Sequence, residues 1–102
     1  MTWYNYLAIF FSGVFLANSV PHFVAGVSGN KFPTPFSKPP GRGLSSAPTN
    51  TFWGLLNMVI GYVLYRVGKM NGTDITSLVL FFAGVASISI MCSYNFQKKH
   101  RE

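Results

Sequence analysis

Acidic residues are almost missing from this chain. Of 102 residues only Asp74 and Glu102 are acidic, and neither falls inside a long apolar run. Proton- or sodium-coupled transport relies on an intramembrane carboxylate. Carboxylate-bridged metal centres and glycosidase pairs need at least two acids close together. A Ser-His-acid set needs an acid to orient its histidine, and nothing nearby supplies one for His22. The chain therefore reads as non-catalytic. Cysteine is equally scarce. Cys92 stands alone, so no intrachain disulfide forms and cysteine usage marks no redox compartment. His22, Cys92 and His100 are the only thiol or imidazole ligands, and no HxxxH or CxxC spacing joins them. No metal and no cofactor is expected from that set.

Charge of either sign is thin, at 10 % of residues against about 25 % in ordinary soluble domains. The balance is basic, net +6. Those basic residues do not alternate with aromatics along one face, which argues against nucleic acid. They fill the gaps between apolar runs, as in a membrane protein.

What is present is hydrophobic length. The stretch WYNYLAIFFSGVFLANSVPHFVAGV, residues 3–27, holds no Asp, Glu, Lys or Arg. At ~1.5 Å per residue it is long enough for a ~30 Å hydrocarbon core. No basic segment precedes it, and it exceeds the ~7–15 residues of a signal-peptide core, so it reads as a span and not as a cleaved leader. Trp3, Tyr4 and Tyr6 suit an interfacial anchor. Two further runs, 51–67 and 75–96, behave alike. The expectation is an all-α polytopic membrane protein, one domain over 1–102 with three transmembrane helices. Thr49-Asn50-Thr51 supplies cap candidates for the second helix, and Thr73 or Asp74 for the third after an Asn71-Gly72 turn.

Residues 28–50 hold five of the six prolines, a density that opposes helix and favours extended chain with a turn at Gly41-Arg42-Gly43. The glycine-rich piece lacks the lysine and helix start of a phosphate loop. Phe32 and Phe36 argue against a plain solvated linker. Lys31, Lys38 and Arg42 in this loop, with Lys98, Lys99 and Arg101 in the tail 97–102, are headgroup-binding candidates. Three spans place these six basic residues on one side, against Arg66 and Lys69 on the other. That bias predicts an outside N-terminus and a cytoplasmic loop and C-terminus beside anionic lipid headgroups.

Inside the spans, Asn18 and His22 are four apart and share a helix face with Gly26. Pro21 withdraws the helical partner of the Ala17 carbonyl and predicts a kink there. His22 is read first as a donor that locks this kink or a helix contact, and second as a titrating or ligand-contacting group. Asn57 is expected to act as helix glue, with Asn18 a natural partner. Gly54, Gly61 and Gly68 recur every seven residues, and Ala83, Gly84 and Ser87 form a second small stripe. Both let membrane helices approach closely. The expected role is a structural, accessory or assembly subunit of a homo-oligomer or larger membrane complex, in a bacterial inner membrane. The alternatives are an oligomeric channel or transporter lined by Asn18, His22 and Asn57, and a lipid- or quinone-binding protein at the Pro21 kink.

Overall fold

The computed structural model describes residues 2–40 and 43–97. They form three helices: α1 (Trp3–Val27), α2 (Ala47–Val67) and α3 (Ile75–Phe96). Helix α1 is the axis. It packs along α2 on one side and along α3 on the other, while α2 and α3 meet only marginally. Helices α1 and α3 are each long and apolar enough to cross a membrane.

The distribution of polarity is inverted relative to a water-soluble domain. Among the described residues the buried hydrophobics are only Ala8, Ile9 and Phe32. Asn5, Ser12, Ser19, His22, Asn50, Asn57 and Ser77 are buried instead. Phe52, Phe82 and Ile75 stand outward at 70–71 % exposure. In water such a surface would drive aggregation; in hydrocarbon it costs nothing, and small or polar groups become the means of packing.

Glycine sets the spacing of α1 against α2. A methyl group placed on Gly54 would lie 2.8 Å from the Phe23 amide nitrogen. On Gly61 it would lie 2.6 Å from Leu16 Cγ, and on Gly68 2.6 Å from Ile9 Cγ1. Positions seven apart on α2 thus meet positions seven apart on α1, running the opposite way. The tightest α1–α3 approach is at one level: Gly13 faces the backbone of Phe81 and Val85, and Gly84 faces that of Phe10 and Val14. Of the second stripe only Gly84 is fully buried. Ala83 is half-buried, and Ser87 is exposed with its hydroxyl turned back to the Ala83 carbonyl at 2.7 Å. A helix that touches one neighbour along a narrow strip leaves the flanks of that strip outside.

Two boundaries differ from the sequence reading. Helix α2 begins at Ala47, not Thr51, and its cap is Ser46, whose hydroxyl accepts from the Thr49 amide at 3.3 Å. Pro48 lies in the first turn, where its missing N–H is no loss. Asn50, taken from sequence as part of the cap, is therefore inside the helix. At the other end Gly68 keeps right-handed backbone and the left-handed residue is Lys69, φ 55°. The glycine there serves close approach to Ile9, and the lysine takes the turn.

The loop is folded back and not simply extended. Phe32 and Ser45 form an isolated antiparallel bridge, with amide-to-carbonyl distances of 3.3 and 3.0 Å. Thr34 and Ser45 share a buried hydrogen bond, and the Ser37 hydroxyl donates to the Thr34 carbonyl at 2.7 Å. Phe32 is buried, whereas Phe36 is 64 % exposed with its ring edge-on to Trp53. Lys31 and Lys38 are exposed. The proposed turn at Gly41-Arg42 and the tail cations Lys98, Lys99 and Arg101 lie outside the described residues.

Candidate functional site

Polar side chains tie α1 to α2 at three levels. At the N-terminal end of α1, Asn5 Nδ2 donates to the Val67 carbonyl at 3.0 Å, satisfying one of the carbonyls that a helix end leaves without a partner. Its Oδ1 accepts from the Thr2 amide at 3.0 Å and from the Thr2 hydroxyl at 2.9 Å. At mid-length, Asn18 Nδ2 donates to Asn57 Oδ1 at 3.1 Å, while Asn57 Nδ2 donates to the Trp53 carbonyl at 2.8 Å. The Cys92 thiol reaches Asn18 Oδ1 at 3.7 Å, so one short chain of hydrogen bonds joins all three helices. Asn18 and Asn57, weighed above as channel lining, are engaged with each other.

The third level is the loop end. His22 is 3 % exposed and Asn50 fully buried. His22 Nδ1 is 3.0 Å from Asn50 Oδ1. The histidine thus reaches across to the first turn of α2 and does not fold back on the Pro21 region of its own helix. Asn50 Nδ2 in turn faces three carbonyls, Phe32 at 2.9 Å, Ser46 at 3.0 Å and Ser45 at 3.2 Å. One asparagine therefore joins α1, α2 and both strands of the loop bridge. The imidazole is boxed edge-on by Phe32, Trp53 and Phe96, with ring centroids 5.3, 6.4 and 6.3 Å away. Phe32 also packs on Phe96 at 4.8 Å, which brings the C-terminal end of α3 to the same place.

Two of the openings beside this cluster bear on the site. A cavity of about 160 Å³ is walled by Asn18, His22, Thr34, Trp53, Asn95 and Phe96. An apolar groove of about 610 Å³ runs between α1 and α3, beside Pro21, with Leu16, Val20, Val85 and Ile88 in its walls. Pro21 and its neighbours on α1 are thus one bank of a groove that the α1–α3 crossing leaves open.

Sequence reasoning missed Asn5 and Asn50. Asn5 stands alone among the aromatic residues Trp3, Tyr4 and Tyr6, with no polar residue one helical turn later to mark it. Asn50 looked like a cap because Pro48 suggested that the helix had not yet begun; proline's tolerance of the first helical turn was the available signal. Comparison with protein families, with curated proteins and with solved structures finds no match.

Proposed function

We propose that the chain is an integral membrane protein of three crossings, with the folded loop and C-terminus on the cytoplasmic side of a bacterial inner membrane. We further propose that it serves there without catalysis, as an accessory or assembly subunit of a homo-oligomer or larger complex. The observation that carries this reading is the inverted polarity of the three helices. Helix α2 is the least apolar, but its polar residues Asn50 and Asn57 and its buried glycines face α1. Leu55, Leu56, Val59 and Val63 face outward. Its 21 residues give about 31 Å, the thickness of a hydrocarbon core. The long axis of the molecule, 45 Å, suits that core plus both headgroup layers. In lipid such faces need no protein cover, so the accessory role is favoured instead by the economy of a chain whose spans hold no acidic residue.

The test is the mass of the assembly in mild detergent together with its co-purifying proteins. A defined multimer or complex is expected, and a stable monomer without partners contradicts the accessory role. Labelling of single cysteines at positions 41 and 97 on sealed vesicles tests the topology. Both should react from one side, and opposite sides would contradict three crossings.

A second reading is favoured by the α1–α3 groove. Its volume falls in the ~300–1,000 Å³ range of small-ligand sites, and its walls are apolar. It suits a lipid-like molecule bound beside Pro21.

A further inference from the structure

Asn50 fixes how His22 is protonated. Carbonyl oxygens only accept, so the amide nitrogen of Asn50 must face Phe32, Ser45 and Ser46, and its oxygen must face the imidazole. The proton between them sits on His22 Nδ1. In the neutral ring, Nε2 is then an acceptor. Among the described residues Nε2 makes no hydrogen bond. With Nδ1 tied to Asn50, the opposite edge of the ring is left for the cavity that His22 helps to wall.

The cavity has the size and surfaces for one flat ring. A space of roughly 150 Å³ accommodates a benzene molecule, and this one measures about 160 Å³. Trp53 and Phe96 give it aromatic walls, and Pro33 and Pro35 close it from the loop. The buried Trp53 indole N–H has no hydrogen-bond partner among the described residues. The cluster thus holds one uncommitted acceptor and one uncommitted donor. Phe96 also lines the larger apolar groove, so its ring, packed on Phe32, stands between the two spaces.

We propose that the site binds a hydroxylated six-membered ring carrying an apolar tail, the chemistry of a membrane quinol. The ring occupies the His22 cavity and donates its hydroxyl hydrogen to Nε2. The tail passes the Phe96 side chain, which turns aside to admit it, and lies in the α1–α3 groove. This deepens the lipid-binding reading above and rests on the membrane placement. The oxidised quinone has no hydroxyl to offer His22, so the reduced form binds more tightly.

The experiment uses the full chain in detergent micelles, with Trp3→Phe so that Trp53 alone reports by fluorescence. Decylubiquinol, decylubiquinone and phosphatidylglycerol are titrated in turn. Saturable quenching by the quinol is expected, with the quinone at least about fivefold weaker and the phospholipid unable to compete, as one lost hydrogen bond implies. His22→Asn retains a donor for Asn50 but has no counterpart of Nε2. It should weaken the quinol roughly tenfold and abolish its advantage over the quinone. Asn95→Phe, at an exposed wall residue away from the buried pair, should block binding even if His22→Asn does not fold. Absent saturation, equal affinity for both redox forms, or displacement by phosphatidylglycerol overturns the proposal. Resistance to alkaline extraction is measured in parallel. A chain that stays embedded without binding quinol overturns this proposal alone, whereas a chain released by alkali overturns the membrane placement.

Discussion

The two flanks of α1 are built on different plans. Toward α2 the contact runs the whole helix length, with glycines at heptad spacing and an asparagine bond at each end and in the middle. Toward α3 there is one close crossing at Gly13 and Gly84, one thiol bond, and then a groove. In a bilayer no hydrophobic effect presses helices together, so a continuous small-residue seam makes a rigid pair, and a helix held closely at one crossing leaves space beside it. The rigid pair holds the loop and His22 in place. The less closely held helix provides the opening.

Substitutions on the two flanks should therefore separate. The largest effect is expected from Gly54→Leu, because its obstacle is Phe23 backbone within a seam held along its whole length, so the partner helix cannot swing aside. It should destabilise the α1–α2 pair by about 3 kcal/mol or more, read by unfolding in mixed micelles. Gly84→Leu meets the Phe10 carbonyl and should displace α3, seen as a longer spin-label distance from α1 to α3 with α1–α2 distances unchanged. If both variants loosen both flanks equally, the distinction fails.

Asn50→Leu comes next. It leaves the buried imidazole N–H of His22 without its partner, at about 1–3 kcal/mol unless water rescues it, while the Phe32, Ser45 and Ser46 carbonyls keep their backbone amides. The expected readout is rapid proteolysis within residues 28–46, with the helices still paired. Unchanged protection would show that the loop is held by its own bridge. Smaller still is the Asn18–Asn57 coupling. A double-mutant cycle with leucine at both positions should return about 0.6–1.7 kcal/mol, the measured scale for such bonds in membranes. Ser87→Leu, on the exposed side of α3, should stay within about 0.5 kcal/mol of the parent.

The helices were legible because each is a long run without acids, and length with hydropathy is a strong signal. The heptad of Gly54, Gly61 and Gly68 is equally visible in the chain, although nothing in it names Phe23, Leu16 and Ile9 as the opposing residues. Less legible was the loop end. Pairing of His22 with Asn50 depends on residues 28 apart brought together by a turn through prolines, and local patterns do not encode that distance. The start of α2 was misplaced because proline reads as a breaker, while at the first turn it is neutral. Ser87 shows the limit of stripe reading: small residues mark a face that can pack, and the neighbour's path decides which of them do.

The central claim is that the outward face of α2, the least apolar helix, lies in hydrocarbon with those of α1 and α3. Spin labels at Val59 and Val63, read in bilayers for collision with oxygen and with a water-soluble nickel chelate, test it most directly. High oxygen and low nickel accessibility, matching a label at Val79 on α3, is the predicted result. Nickel accessibility typical of an aqueous surface at Val59 and Val63 would contradict it.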